Sequence, residues 1–114
     1  MNIPDRSVCL RIYLGDGARH GGKALFEEIV IRAHNHGLAG ATVIRSPLGF
    51  GAASQLRTAK ILNLSTDLPI VIEIIDGDEK IRAFIPLVKE VLAGGLVTLH
   101  EVEVVHYPTP VAQS

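Results

Sequence analysis

Leu68-Pro69-Ile70-Val71-Ile72-Glu73-Ile74-Ile75 is a β-branched run, apolar on both faces except at Glu73 and closed by Asp67 and Asp76. A run of this length and composition reads as a strand buried on both sides, which places it in the middle of a sheet. Upstream, Val8, Leu10, Ile12 and Leu14 alternate with Cys9, Arg11 and Tyr13, so 8–14 is a second strand with one apolar face. Between the two, the period becomes helical from Lys23, with Leu25, Phe26, Ile29, Val30 and Ala33 on one stripe and Gly37 as a stop. Glu28 and Arg32 form an i,i+4 pair on its wet side. A further strand covers about 41–48, interrupted near Pro47, while 58–64 is equally compatible with a short helix or a strand arm.

Downstream, Ile81, Phe84, Ile85, Val88, Val91 and Leu92 form the stripe of a second helix, with Asp76 or Asp78 as its cap. Pro86 falls inside this helix but off the stripe, so a mild kink toward solvent is expected. Gly94-Gly95 ends the helix, and 96–105 supplies a last strand whose alternation slips near His100-Glu101, which suggests a bulge or bend. The tail from Tyr107, with Pro108 and Pro110, is expected to be extended and loosely held. The order is βαββαβ. Two helices on one face of a four-stranded antiparallel sheet, the α+β ferredoxin-like sandwich, bury both stripes. Right-handed crossovers then put the first and third strands side by side in its centre.

With 114 residues, 47% of them apolar and 20% charged, the chain reads as one soluble globular domain (1–114, core about 8–105, tail 106–114). The net charge of −1 argues against a nucleic-acid partner. No apolar run is long enough to cross a membrane, and nothing near Met1 resembles a secretion signal, so the expected location is cytoplasmic. The single cysteine, Cys9, lies in an apolar strand and reads as a buried, inert thiol. His34 and His36 stand two apart, too far round a helix to share a metal, and no metal site is expected.

If the helices cover the Leu10/Ile12 and Ile70/Ile72/Ile74 face, the other side of the sheet carries Cys9, Arg11, Tyr13, Val71, Glu73 and Ile75. This side is too apolar to be left wet, and it is read as a subunit interface with Arg11 and Glu73 paired within it. A loop or the tail covering it is the alternative.

The chemistry-bearing segment follows the second strand. Gly49-Phe50-Gly51 brackets an aromatic with residues that can reach φ > 0 and bring amides close to a ligand. Arg45, Ser54, Arg57, Thr58 and Lys60 supply charge-assisted donors suited to a phosphate. The same composition also describes a solvated loop. Phe50 either stacks on a base or packs under the loop. A basic turn at Arg19, His20 and Lys23 is either a second anion site at a helix start or ordinary surface charge, and the latter is the favoured reading.

The chain resembles the PII-like signalling superfamily, and within it the uncharacterised nitrogen-regulatory-protein-like family. The residues that carry the likeness are Leu10-Arg11-Ile12-Tyr13, Gly40-Ala41-Thr42-Val43, Gly49-Phe50-Gly51, Thr58-Ala59-Lys60-Ile61-Leu62, Asp67-Leu68-Pro69-Ile70-Val71-Ile72-Glu73 and Gly95-Leu96-Val97-Thr98-Leu99 with Glu101-Val102-Glu103-Val104. The resemblance implies a homotrimer with sheets facing inward and an adenine nucleotide in clefts between subunits. By position, Thr42, the backbone of Gly49, Phe50 and Gly51, and Glu73 would line that cleft. The loop is shorter than in PII proper and lacks its modified tyrosine. A basic segment typical after the second helix is replaced by Gly94-Gly95, which favours AMP or ADP over a triphosphate. The implied function is regulation of a membrane transporter, channel or metabolic enzyme through the loop, without membrane insertion and with no cofactor beyond the nucleotide. No catalytic residue or nucleophile motif stands out, so a small oligomeric enzyme using the same cleft is the alternative.

Overall fold

Alternating apolar side chains draw Arg6–Gly15 (β1) and Pro69–Asp76 (β3) into antiparallel contact at the centre of a four-stranded sheet, with Leu10 opposite Ile74 and Ile12 opposite Ile72. In this computed structural model, which describes residues 3–49, 57–58 and 68–108, Ala41–Arg45 (β2) forms one edge against β3 and Leu96–Glu103 (β4) the other against β1. The spatial order is β2-β3-β1-β4, the ferredoxin-like arrangement expected from the element order.

Helices Leu25–Asn35 (α1) and Asp78–Val91 (α2) cover one side. Leu10, Ile12, Ile70, Ile72, Ile74, Ile29 and Ile81 are each 0% exposed there. Each such side chain, withdrawn from water, contributes about 1.5–3 kcal/mol toward the cost of ordering the chain. Both helical stripes lie where the periodicity put them, and Pro86 sits on the exposed side of α2.

Helix α1 stops at a Schellman motif. His36 is the C-cap, Gly37 follows at φ +74°, its amide donates to the His34 carbonyl, and the Leu38 amide reaches back to Ala33 at 3.2 Å. Leu38 then tucks into the core, which turns the chain toward β2. The α1 start differs from the expectation at Lys23: Lys23–Ala24 pairs with Arg19–His20 in a tight hairpin, and the helix begins two residues later.

Other boundaries also moved. Strand β2 ends at Arg45 rather than 48, and Leu48–Gly49 pairs instead with Arg57–Thr58 in a small separate ribbon. The expected arm at 58–64 is described only at Thr58, in that ribbon; the remainder lies outside the described residues. No side chain caps α2: its N-cap is Gly77, and the buried Asp76 carboxylate accepts the Gly77 and Ala39 amides instead. The bulge expected at His100-Glu101 is absent, because β1 and β4 stay in register from Arg6↔Glu103 to Tyr13↔Leu96. The slip in alternation has a different cause. Val97 and Leu99 pack on the core, while Glu101 and Glu103, of the same parity, are exposed.

Candidate functional site

The sheet side opposite the helices carries Arg11, paired through Nε to Glu73 Oε2 at 2.8 Å on the neighbouring strand. Hydrogen bonds to Tyr13 and then to Glu73, against some desolvation, raise the Arg11 pKa further above its ordinary value. Cys9, on the same side, is a free, buried thiol whose pKa burial pushes up, with the Glu73 charge adding to the effect. Around this pair the face holds Ile75 and, at the edges, Ile44 and Leu96, all exposed.

At one end of this face, the entry to β2 and the chain leaving β4 approach each other. A cleft of about 510 Å³ lies between them, lined by Ala39, Gly40, Ala41 and Thr42 on one side and residues 102–107 on the other, with Ile3, Glu73 and Ile75 also among its walls. Thr42 and Glu73 are Cα partners across β2 and β3, so the cross-strand pairing itself puts the hydroxyl-bearing and carboxylate-bearing residues side by side. A depression of about 570 Å³ elsewhere is lined by Asp5, Arg6, Asp78, Glu101 and Glu103 among others. That depression holds none of the residues read from the sequence as ligand-binding, whereas the first cleft joins Thr42 and Glu73, so the first cleft is the candidate site.

The candidate residues read from the sequence fall into separate places. Thr42 and Glu73 share the cleft. Arg45, three residues along the strand and so on the other face, gives its Nη1 to Asp16 Oδ2 at 2.7 Å and lies 5.2 Å over the Phe26 ring. The structure therefore does not bring Arg45 together with Thr42. Gly49 and the backbone of Arg57 and Thr58 meet in the small ribbon beyond the sheet. Gly49 is extended in the ribbon, not left-handed as its place in a glycine-bracketed turn leads one to expect. A Cβ there would stand 3.0 Å from Pro69 Cγ, closer than an ordinary contact, so a side chain would have to push the proline ring aside by a few tenths of an ångström. Phe50, Gly51, Ser54 and Lys60 lie outside the described residues.

Two contributors escaped sequence reading. Ala39 is a node: its amide donates to Asp76 Oδ2 at 2.9 Å and its carbonyl accepts the Tyr107 hydroxyl at 3.2 Å. The tail is thus held at Tyr107, where a loose extension was expected. The available signal was an aromatic residue between the polar and proline positions of an otherwise unremarkable tail. Among the described residues, no cluster of metal-binding side chains and no helix long and apolar enough to cross a membrane is present.

Residues 7–104 match the model of the DUF190 family, described as uncharacterized ACR. A UPF0166 protein of Aquifex aeolicus is 39% identical over 97 residues, covering 85% of this chain and 91% of that protein. A UPF0166 protein of Methanocaldococcus jannaschii is 31% identical over 100 residues, covering 87% and 92% respectively. Among solved structures, the nitrogen regulatory PII-like protein CPII from Thiomonas intermedia K12, bound to ADP, AMP and bicarbonate, aligns with TM-score 0.60 at 19% identity, covering 87% of this chain and 88% of CPII. CPII bound to ADP and bicarbonate aligns at 0.58 with 20% identity and the same coverage. Matched over nearly all of its described length, the chain belongs to the DUF190 family and has the PII-like, ferredoxin-like fold.

Proposed function

We propose that the protein is a PII-like regulator that binds an adenine nucleotide, AMP or ADP, at the Thr42–Glu73 cleft where copies of the chain meet in a homotrimer. The observation that carries this reading is the cleft itself. It sits on the uncovered side of the sheet, and β2 runs from it toward the glycine-rich, basic 49–60 segment. Thr42 and Arg45 are about 10 Å apart along an extended strand, a span suited to a nucleotide with its base in the cleft and its phosphate at the loop. Because Arg45 is committed to Asp16, the phosphate falls to Ser54, Arg57, Thr58 and Lys60 and the amides of Gly49, Phe50 and Gly51. The nucleotides bound by CPII, a protein of the same fold, support the ligand class.

Contact of the phosphate with the loop would report occupancy to a partner, a transporter, channel or metabolic enzyme. The protein performs no chemistry of its own in this reading. Calorimetry against AMP, ADP, ATP and cyclic nucleotides tests it: saturable binding without turnover is expected, and Gly51→Val should abolish binding while leaving assembly intact. Unchanged affinity of that variant would refute the cleft assignment, and consumption of the nucleotide would replace the regulator with an enzyme.

A further inference from the structure

Strand β4 does not release the chain into solvent. The Val104 amide donates to the Asp5 carbonyl at 2.7 Å, and three residues later the Tyr107 hydroxyl donates to the Ala39 carbonyl at 3.2 Å. Between these anchors the chain spans the cleft, with Val105 89% exposed and His106 exposed. The far anchor is itself held. Ala39 donates its amide to Asp76, a carboxylate 2% exposed that also accepts the Gly77 amide at 2.7 Å and has the Lys80 ammonium at 3.8 Å.

We propose that residues 104–107 are a strap that closes over a nucleobase in the cleft, with Tyr107 and Asp76 as positioning residues acting through the Ala39 peptide. The proposal rests on the nucleotide reading of the cleft and adds to it the wall that the base meets. Ile3, Ala41, Ile75, Val102 and Val104 give the slot aliphatic surfaces, and Thr42, Glu73 and His106 place donors and acceptors within it. That pattern suits a flat heteroaromatic ring with a polar edge.

A single neutral hydrogen bond at 3.2 Å favours the docked strap by only about three- to tenfold. A ligand that touches the docked strap and not the released one therefore shifts this balance, and by linkage the strap's docking raises the ligand's affinity.

The test uses the full chain, wild type and Tyr107→Phe, with AMP and ADP as probes in calorimetry and hydrogen–deuterium exchange. AMP is expected to slow exchange at residues 104–107 severalfold in the wild type. In Tyr107→Phe the docked fraction without ligand should fall from about 75–90% to about half, so the Kd should rise about 1.5- to twofold, ligand-free exchange at 104–107 should quicken, and the oligomeric mass should stay unchanged. Asp76→Asn, which retains one acceptor oxygen, should reproduce part of the affinity loss and speed exchange at Ala39. AMP affinity equal to wild type in Tyr107→Phe, or no AMP-induced protection at 104–107, overturns the proposal. If the wild type binds neither AMP nor ADP, the nucleotide reading fails, and closure over a base fails with it. The anchor is then judged without ligand: Val104 exchange should still be severalfold faster in Tyr107→Phe, and equal rates would show that Tyr107 holds nothing.

Discussion

Gly95→Ala should be among the most damaging single-methyl additions in the chain. Gly95 sits at φ +118°, in backbone territory that side-chain-bearing residues rarely enter, and an added Cβ would stand 2.5 Å from the Tyr13 carbonyl oxygen and 3.4 Å from Leu92 Cδ1. The carbonyl belongs to central strand β1 and lies next to the Tyr13↔Leu96 pair that begins β4, so it cannot swing aside as a flexible side chain would. Strained φ costs about 1–3 kcal/mol, and relieving the contact by displacing backbone adds a comparable amount. Together these give about 2–6 kcal/mol, a large share of the ~5–15 kcal/mol that stabilises a typical domain. For a chain of this size that corresponds to a fall in Tm of roughly 10–20 °C. Urea and thermal unfolding at one fixed protein concentration measure it, with Gly94→Ala as the control because a Cβ there meets nothing within 4 Å. Stability of Gly95→Ala within about 0.5 kcal/mol of wild type would show that the turn into β4 relaxes freely, and the argument would fail.

Asp76→Ala orphans the amides of Ala39 and Gly77 in a buried site, so a loss of about 2–4 kcal/mol is expected in urea titrations; a loss under 1 kcal/mol would mean that water replaces the carboxylate. Glu73→Ala strands Arg11 on the uncovered sheet face and should weaken self-association, and an undisturbed elution volume on sizing chromatography would contradict a role for the pair in assembly. Cys9 should resist alkylation at pH 8 in the folded protein and react on unfolding, because burial raises its pKa. With the folded thiol harder to ionise, its contribution to stability is intact at neutral pH and is lost as pH rises through the thiol range; stability that rises there would reverse the assigned shift. Glu28 behaves oppositely. Its hydrogen bond from Arg32 lowers its pKa, so the stability it lends is present above the ordinary carboxylate range and is lost on acidification, and Glu28→Gln should flatten that acid limb.

How much could be read in advance depended on the range of the interactions. The stripe on α2, the alternation in β1 and the doubly apolar β3 record burial residue by residue, so element types and the central pairing of β1 with β3 were legible. The Arg11–Glu73 pair was legible too, because two oppositely charged residues on adjacent central strands have few other partners. Arg45 illustrates the limit. Its charge and position after a strand suggest a phosphate ligand, yet strand parity turns it to the helix side, where Asp16 and the Phe26 ring receive it. Capping of α2 failed for a related reason: Asp76 has the chemistry of a cap, but the incoming Ala39 amide gives its carboxylate a second, distant partner.

By itself, then, the amino-acid order determined the periodicities, the βαββαβ succession and the glycine stop at Gly37, because each is set by neighbours within a few positions. Only the tertiary structure decided that Thr42 faces Glu73 across a cleft, that Ala39 is gripped by Asp76 and Tyr107, and that the segment after β4 turns back across the sheet. Those contacts join residues 31, 37 and 68 positions apart. Local propensity carries no information about such separations, and they exist only once burial of the two helical stripes has folded the sheet beneath them.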